Sequence, residues 1–346
     1  MTTVRRASPG RRPSMADVGR VAEVSAQTVS RYYTGGYVST QSRARIEAAV
    51  RELGYTHSRL PQMLRAQRSR TLGFLAMGPI NYGNAGILTG IGHAARAARQ
   101  DVLTTQLTLD PAGPDFLDDA RHALDGLISA HVDGVLVATP YLGMEDLLAE
   151  VAGSIPLVVL AESTVGTLDS VHTDSYGAAR LAVEHLLALG HTRVLHLAGP
   201  ADRIEAHQRA RAYSDAMSAA GCAPLPLLRC AEWDAASGAR AAEAADPAQF
   251  TAVAAANDEI ALGFMSALRE RGYSAPGDYS ITGVDDMPET RFFAPPLTSA
   301  GLDFEQLGER AVGRLLDAID GVEPTGSNMI PAWLAVREST RAIVAE

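Results

Sequence analysis

Lysine is absent from this sequence, because all 30 of its basic residues are arginine. The absence excludes several enzyme classes, since a Walker-type phosphate-binding loop, a Schiff-base enzyme and a protein kinase each depend on a lysine amine. A Gly-x-Ser-x-Gly turn and a His-Glu-x-x-His zinc motif are also missing, and the nine histidines show no metal-ligand spacing. We therefore expect that the protein is not an enzyme and that it has no metal site and no cofactor.

Cysteine is nearly absent as well, with only Cys222 and Cys230 in 346 residues. Two thiols in a chain of this length are typical of a reducing compartment, and they are too few for a zinc finger without paired histidines. No apolar run approaches the roughly 18 residues that a membrane span needs. Residues 1–14 carry arginines with no apolar segment behind them, which predicts a disordered basic tail rather than a signal peptide. The expected location is the cytoplasm, without a membrane partner.

The net charge of −10 hides an asymmetry along the chain. Residues 1–70 contain 13 arginines and four acids, a net charge of +9, whereas the other 276 residues contain 17 arginines and 36 acids, a net charge of −19. A basic segment on an acidic body is typical of a polyanion-binding domain joined to a domain with another task. On charge alone, a solvated basic face without a partner is the alternative.

The basic segment has the pattern of three short helices. Ser14, Ser25 and Ser39 are each placed to cap a helix, and Gly54 ends the third one. Two short helices joined by a tight turn and braced by a third predict a helix-turn-helix over residues 15–56, with the second helix slim enough to enter the major groove. A generic three-helix bundle fits the same lengths and caps.

Residues 15–56 also resemble the DNA-binding head of the lactose-repressor (LacI/GalR-type) family of bacterial transcriptional regulators. The resemblance runs through Asp-Val near the start, Val-Ser-x-x-Thr-Val-Ser-Arg across the turn and second helix, and Glu-Leu-Gly-Tyr at the close. It implies that Ala26, Gln27 and Arg31 read base edges, as Gln pairs with adenine and Arg with guanine. It places the other predicted DNA-binding residues of the head nearer phosphates or the core, namely Ser25, Thr28, Ser30 and Tyr55.

Two departures from the family pattern lie in and after this head. Glu23 stands at the turn where the family usually has glycine, so a left-handed backbone there costs about 1 kcal/mol. Residues 57–70 resemble the family's hinge helix and place Leu64 as the side chain that wedges into the minor groove. Pro61 falls within the first turn of that helix, where a missing N–H is tolerated but the cap loses a donor. An ordinary apolar linker residue is the alternative for Leu64.

From residue 71 onward, short apolar runs alternate with Ala- and Leu-rich helical stretches such as Ala178–Leu189. This alternation predicts parallel sheets covered by helices on both faces, with a ligand at the carboxyl ends of the strands. The predicted strands are Leu72–Met77, Val102–Gln106, Val135–Ala138, Leu157–Leu160, Val194–Ala198, Ala252–Ala255 and Ser280–Gly283.

The resemblance to the family continues over nearly the whole body. It rests on three long segments, residues 172–200, 256–272 and 280–299. It implies an α/β fold of the periplasmic-binding-protein-like type I, with two parallel-sheet subdomains within residues 71–342. The implied bounds are about 71–171 with 302–322 for the first subdomain, and about 172–301 with 323–342 for the second.

The same resemblance implies that an effector binds in the cleft between the two subdomains. Arg209, Asn257 and Asp285 match family positions that donate to and accept from sugar hydroxyls. Trp233 matches a position where an aromatic ring stacks on the sugar. Taken alone, a lone Trp is more often a core residue and a strand-end Asp more often a helix cap. The weaker members of the predicted effector site are Tyr82, Asn84 and Phe304.

These features together predict a sequence-specific transcriptional regulator. We expect a repressor whose affinity for palindromic double-stranded operator DNA is modulated by a small sugar or oligosaccharide. No leucine heptads follow the body, so a homodimer is expected. The alternative is a sugar-binding protein whose DNA-binding head is degenerate. A transport-type sugar-binding protein shares the fold of the body, but it has a signal peptide and no helix-turn-helix.

Overall fold

The computed structural model describes residues 13–57, 68–108, 110–139, 141–161 and 168–343. The chain divides into two compact units after residue 69, a head and a body. Most of the predicted tail (residues 1–14) and hinge (residues 57–70) lies outside the described residues, with Leu64 and Pro61, so these assignments stay predictions. Within the described part of the chain, no helix combines the length and the apolar character that crossing a membrane requires.

The head consists of three helices, α1 (Met15–Val21), α2 (Ala26–Tyr33) and α3 (Thr40–Leu53). A core this small stabilises the fold only modestly, so the satisfied polar groups at the helix ends contribute a large share of the stability. The core side chains are Val18, Ala22, Val29, Ile46, Ala49 and Tyr55.

The caps predicted for the head are confirmed. Ser14 and Asp17 form a complete capping box, with the Ser14 N–H donating to the Asp17 carboxylate at 2.9 Å and the Asp17 N–H donating to Ser14 Oγ at 3.3 Å. Ser25 Oγ accepts from a backbone N–H of α2 at 3.0 Å, and Ser39 Oγ accepts from one of α3 at 3.2 Å. Gly54 ends α3 at φ 60°, the left-handed conformation that glycine adopts without strain.

The first half of the body is built on a six-stranded sheet in which all neighbouring strands are parallel. The strands are β1 (Thr71–Met77), β2 (Asp101–Leu107), β3 (Gly134–Ala138), β4 (Leu157–Val159), β5 (Asp169–Thr173) and β11 (Ser327–Ile330). They lie in the order β11-β5-β4-β3-β1-β2. The helices of this half are α4 (Tyr82–Ala97), α5 (Phe116–Ser129), α6 (Glu145–Ala152) and α11 (Phe304–Ile319).

The second half has a six-stranded sheet of its own, parallel except for one antiparallel edge strand. The strands are β6 (Val194–Ala198), β7 (Leu228–Arg229), β8 (Ala252–Ala255), β9 (Ser280–Asp285), β10 (Thr298–Gly301) and β12 (Trp333–Ala335). They lie in the order β12-β10-β9-β8-β6-β7, with β12 antiparallel to β10. The helices are α7 (Ser175–Ala188), α8 (Ile204–Ala219), α9 (Ala235–Ala244) and α10 (Asp258–Glu270).

Apolar runs become the central strands of both sheets because helices cover both of their faces. Every residue of β3, β6, β8 and β9 is buried, as expected for parallel strands between two helical layers. All seven predicted strands are present, and the predicted helix over residues 178–189 is α7. The sequence analysis missed the shorter or more polar strands, which are β5, β7, β10, β11 and β12.

Each half contains a pair of helices that touch through glycine. In the first half, a Cβ at Gly90 of α4 would lie 2.0 Å from the Glu305 carbonyl oxygen, and one at Gly308 of α11 would lie 2.3 Å from a carbonyl oxygen of α4. In the second half, Gly238 of α9 and Gly263 of α10 approach the facing backbone equally closely, at 2.1 and 1.8 Å. Glycine is required at these positions because the other side is backbone, which cannot move aside.

The chain passes between the two halves three times, after β5, after β10 and after β11. The last of these crossings shows that one predicted subdomain boundary is wrong. Residues 323–342 were assigned to the second subdomain, but β11 pairs in parallel with β5 of the first sheet. Only β12, after it, joins the second sheet. The reason is that strand pairing, which the sequence does not display, determines which sheet a short polar strand joins.

Candidate DNA-binding surface and ligand cleft

Helix α2 carries the predicted base-reading residues on its solvent side. Ala26, Gln27 and Arg31 are exposed, and the last two are four residues apart and so share one face. Val29 is fully buried in the head core on the opposite side. The helix therefore presents amide and guanidinium donors outward, as entry into a major groove requires.

The remaining predicted DNA-binding residues of the head have contacts within the head. Ser25 caps α2, and its hydroxyl lies 2.9 Å from the hydroxyl of Thr28. Ser30 is partly buried. Tyr55 is only 7% exposed and packs edge-on against Tyr33, with ring centroids 6.0 Å apart. These positions hold the shape of the head, and a contact of theirs with DNA stays a prediction.

Glu23 has the left-handed backbone that the resemblance implied for this turn, with φ 54°. Its carboxylate accepts a hydrogen bond from Arg45 Nη1 at 3.3 Å, and both side chains are exposed. An exposed pair of this kind contributes little to stability, but it compensates part of the Glu23 charge. The unusual residue at the turn is thus accommodated without loss of the helix-turn-helix.

A cleft between the two halves of the body contains about 670 Å³ of space that protein atoms do not fill, part of it open to solvent. All seven residues predicted for the effector site line this one cleft: Tyr82, Asn84, Arg209, Trp233, Asn257, Asp285 and Phe304.

Strand ends bring the polar residues of the second half into the cleft. Asp285 is the last residue of β9, and Asn257 follows β8 and caps α10. In open parallel sheets, the ligand lies at the carboxyl ends of the strands. Asp285 also has a strained backbone, with φ 105°, and strain of this kind is concentrated at functional sites.

Arg209 of α8 is held by three contacts. Its Nη2 donates to Asp285 Oδ1 at 3.3 Å, its Nη1 donates to the carbonyl of Ala256, and its guanidinium carbon lies 5.1 Å from the ring centroid of Trp233. Arg209 is only 4% exposed. Because its position is fixed before any ligand arrives, the ligand meets a preorganised donor.

Asp285 and Asn257 combine structural contacts with capacity for a ligand. Burial raises the pKa of Asp285 to about 6, while the neighbouring Arg209 guanidinium opposes that shift. Asn257 Oδ1 accepts from the Ile260 N–H at 2.9 Å, and its Nδ2 donates to the Trp233 carbonyl at 3.0 Å. One lone pair and one N–H of the Asn257 amide remain for a ligand.

The wall from the first half is aromatic and neutral. Tyr82 and Phe304 meet edge to face, with ring centroids 5.9 Å apart. Burial raises the pKa of Tyr82 to about 12, and the nearby charge of Asp285 adds to the shift, so the phenol stays protonated. Asn84, in the first turn of α4, donates to the Pro79 carbonyl at 2.8 Å, which ties it to the preceding loop.

Three further charged residues line the cleft that the sequence analysis did not assign: Arg203, Glu205 and Glu259. Burial raises the pKa of both glutamates. Glu205 lies four residues before Arg209 on α8, and Glu259 lies two residues after Asn257. The four-residue spacing puts Glu205 on the same face of α8 as Arg209, whereas a two-residue spacing does not put Glu259 on the face of Asn257. Which helix face lines the cleft depends on packing against the sheet, so the sequence alone assigns neither glutamate.

Family models match both parts of the chain. Residues 14–58 match the model described as bacterial regulatory proteins, lacI family, and residues 183–340 match the periplasmic binding protein-like domain. Over 336 residues the chain is 30% identical to the lactose operon repressor of Escherichia coli (strain K12), with 95% of this chain and 91% of that protein covered. The chain belongs to the lacI family. It is therefore a DNA-binding transcriptional regulator, and the relatives that it matches are regulators rather than enzymes.

Other family members agree over nearly the full length. The regulator CelR of Thermobifida fusca is 31% identical over 353 residues, with 95% of this chain and 98% of that protein covered. A crystal structure of the lac repressor dimer bound to operator and the anti-inducer ONPF superposes with a TM-score of 0.87 at 29% identity, covering 96% of this chain and 100% of that one. The CelR–cellobiose complex gives 0.70 at 26% identity, covering 95% and 100%. The predicted combination of a helix-turn-helix with a periplasmic-binding-protein-like body is confirmed.

Proposed function

We propose that this regulator is a cytoplasmic repressor that binds palindromic operator DNA as a homodimer and releases it when a small sugar or oligosaccharide occupies the cleft. The observation that carries the proposal is the gathering of all seven predicted effector residues in one cleft. Donors, acceptors and an indole ring are the groups that a pyranose needs, since its hydroxyls both donate and accept and its apolar face stacks on an aromatic ring.

Relatives whose structures contain a ligand or DNA support the same chemistry. The CelR structure is a complex with cellobiose, and the lac repressor structure is a dimer on operator DNA. The intact caps and outward-facing residues of α2 favour a working head over the alternative of a degenerate one. The ligand acts through linkage, because a sugar that prefers one arrangement of the two halves changes the affinity for DNA, and DNA changes the affinity for the sugar by the same factor.

The test is a fluorescence-anisotropy titration of the full-length protein onto DNA from upstream of its own gene, at fixed near-physiological salt with scrambled competitor. The titration is then repeated with a panel of mono- and disaccharides. We expect tight, sequence-dependent binding that one class of sugar reverses. Binding no tighter than to scrambled DNA, together with direct sugar binding in calorimetry, would instead support the sugar-binding alternative.

A substitution on α2 tests the DNA-reading role separately. Arg31→Ala should cost about 1–3 kcal/mol on the cognate operator and much less on scrambled DNA, because a guanidinium that reads a base contributes to specificity. Arg51→Ala is the matched control, since Arg51 is an exposed arginine on α3. An equal loss on both DNAs for Arg31→Ala would show that Arg31 contacts only phosphate.

A further inference from the structure

Acidic residues outnumber basic ones around the cleft. A second cavity of about 750 Å³ adjoins it and shares Arg203, Trp233 and Glu259 with it. Two arginines line the two cavities, Arg203 and Arg209, against five carboxylates that all come from the second half: Glu205, Glu232, Asp234, Glu259 and Asp285.

Both arginines already have partners within the protein. Arg203 is 5% exposed, pairs with Asp202, and stacks over the ring of Tyr141 at 4.2 Å from its centroid. Arg209 pairs with Asp285. Both arginines are therefore paired locally, and they act on Glu205 only from beyond ion-pair distance.

Two of those acids have no partner of their own. Among the described residues, neither Glu205 nor Glu259 makes a side-chain hydrogen bond to another residue or an ion pair, although both are partly buried. Glu205 is helped only by its own backbone and by the more distant charges of Arg209 and Arg203, which oppose the rise in its pKa that burial causes. Burial is the main cause of the raised pKa of Asp285, and the charges of Glu259 and Glu205 add to it. Both glutamates line the same cleft, where they place negative charge that no ion pair neutralises.

The geometry points to a ligand with a protonated amino group, an amino sugar or amino-oligosaccharide, whose ammonium is held between Glu205 and Glu259. This inference rests on the proposed sugar-cleft function and narrows its ligand class. A neutral hydroxyl can donate to a carboxylate but leaves its charge uncompensated, whereas an ammonium donates and neutralises. The burial that raises the pKa of both glutamates is the penalty that a cation relieves.

The other side of the ligand is defined by Arg209. Its guanidinium lines the same cleft, and an N–H donor there needs an acceptor. The hydroxyl oxygens of an amino sugar supply one. Anionic ligands such as sugar phosphates and uronic acids are disfavoured, because the uncompensated acids repel them.

The experiment is calorimetric titration of the full-length protein at about pH 6.5, where an amine with a pKa near that of an α-amino group is mostly protonated. The probes form a matched set: cellobiose, the β-1,4-linked glucosamine dimer, and its N-acetylated form, which keeps the nitrogen but loses the charge. Glucose and glucosamine form a second pair. We expect each amino compound to bind about tenfold or more tightly than its hydroxyl and N-acetyl counterparts.

Variants locate the effect in the structure. Glu205→Gln and Glu259→Gln should each remove most of the preference for the amine over its neutral parent. Glu243→Gln is the matched control, since Glu243 is an exposed acid of α9 outside the cleft lining. It should retain the preference. Thermal unfolding of each variant confirms that it folds.

The outcomes separate this inference from the proposed function. Equal or weaker binding of the amino compounds, or no binding of them at all, overturns the inference. If neutral sugars nevertheless release the operator in the anisotropy titration, the proposed function stands without it. If the operator is never bound specifically, the proposed function fails as a whole, and the calorimetric preference still decides the ligand class.

Discussion

The two halves of the body have the same architecture and opposite surface chemistry. Each has a six-stranded, mainly parallel sheet, and each packs a pair of helices through close glycines. At the cleft, however, the first half supplies aromatic rings and amides, whereas all the charged residues of the lining come from the second half.

The difference shows which parts of the sequence carry the fold and which carry recognition. Both halves contain buried strands and closely approaching helix backbones, because each half has to pack helices against both faces of a parallel sheet. Residues at strand ends and first helical turns are free of that constraint, so they differ according to the ligand. The first wall determines shape, and the second determines charge and hydrogen bonding.

The largest expected effect tests the shared architecture. Gly90→Ala and Gly238→Ala should each lower the free energy of unfolding by about 3 kcal/mol, because the new Cβ meets backbone about 2 Å away. Urea denaturation measures the loss. Gly92→Ala on the same helix α4 is the control, since nothing lies within 4 Å of its Cβ, and it should stabilise by roughly 0.5–1 kcal/mol. If only one of the two substitutions lowered the free energy of unfolding strongly, the close glycine contacts would not have the same structural role in both halves.

The next effect tests the difference between the walls. Trp233→Ala should weaken ligand binding by about 2 kcal/mol, or about 30-fold in Kd, while leaving the affinity for operator intact. Trp333→Ala is a matched control, because each indole packs on a glycine, Gly199 and Gly301 respectively, but only Trp233 lines the cleft. A normal ligand response of Trp233→Ala would make that residue a core residue only.

The loss of stability at acidic pH should arise mainly from the second half of the body. His196 is fully enclosed, and burial lowers its pKa to about 4. The folded state therefore resists protonation, and its stability, complete above the ordinary pKa of about 6.5, declines as the pH falls toward 4. His196→Asn, whose amide can still donate to the Ala254 carbonyl that His196 Nδ1 contacts at 2.8 Å, should remove about 1 kcal/mol of that decline at about pH 5.5.

The matched control for this prediction is His122→Asn, an exposed histidine of the first half. Asp285 acts in the opposite sense, since burial raises its pKa to about 6 and favours the folded state as the pH falls. For that reason the measured quantity is the difference in stability between each variant and the wild type, obtained by thermal unfolding from pH 7 to pH 5. Identical pH profiles would mean that the acid sensitivity does not come from His196.

The smallest effect is expected on the first wall. Asn84→Ala should change ligand affinity by no more than about threefold, or roughly 0.6 kcal/mol, because the amide of Asn84 already donates to Pro79. Asn257→Ala on the opposite wall should cost more, since it removes the proposed ligand contact and the cap of α10 together. Calorimetric titration with the same sugar compares the two. A larger effect at Asn84 would reverse the assignment of roles to the walls.

Local signals in the sequence were sufficient for the head. Each cap is a hydrogen bond within three residues, so Ser14, Ser25 and Ser39 could be assigned from spacing alone. Apolar runs were likewise sufficient for the central strands. β7 has two residues and β11 reads Ser-Asn-Met-Ile, so neither has an apolar run to detect, and both form because a neighbouring strand offers its backbone.

The sequence was sufficient to predict several residues that line the cleft, but it did not predict the net charge of the lining. Arg209, Trp233 and Asp285 stand within motifs that the resemblance identifies. Glu205 and Glu259 lie on the cleft because of how α8 and α10 are rotated, which depends on packing against their sheets and not on local pattern. The excess of acids over arginines around the cleft is therefore visible only in the folded structure.

The repeated passage of the chain between the halves also sets the order in which the protein can be completed during synthesis. Helix α11 covers one face of the first sheet and packs on β3, β4 and β5, with Leu307, Ala311 and Leu315 in the shared core. Yet 130 residues separate the end of β5 from the start of α11. At a synthesis rate of 5–20 residues per second, roughly 7–25 s pass between the synthesis of β5 and that of α11, and during this time the face of the first sheet that α11 covers is exposed. The head, by contrast, has emerged in full long before, so each new chain carries a finished DNA-binding unit before it has a half that can close around a ligand.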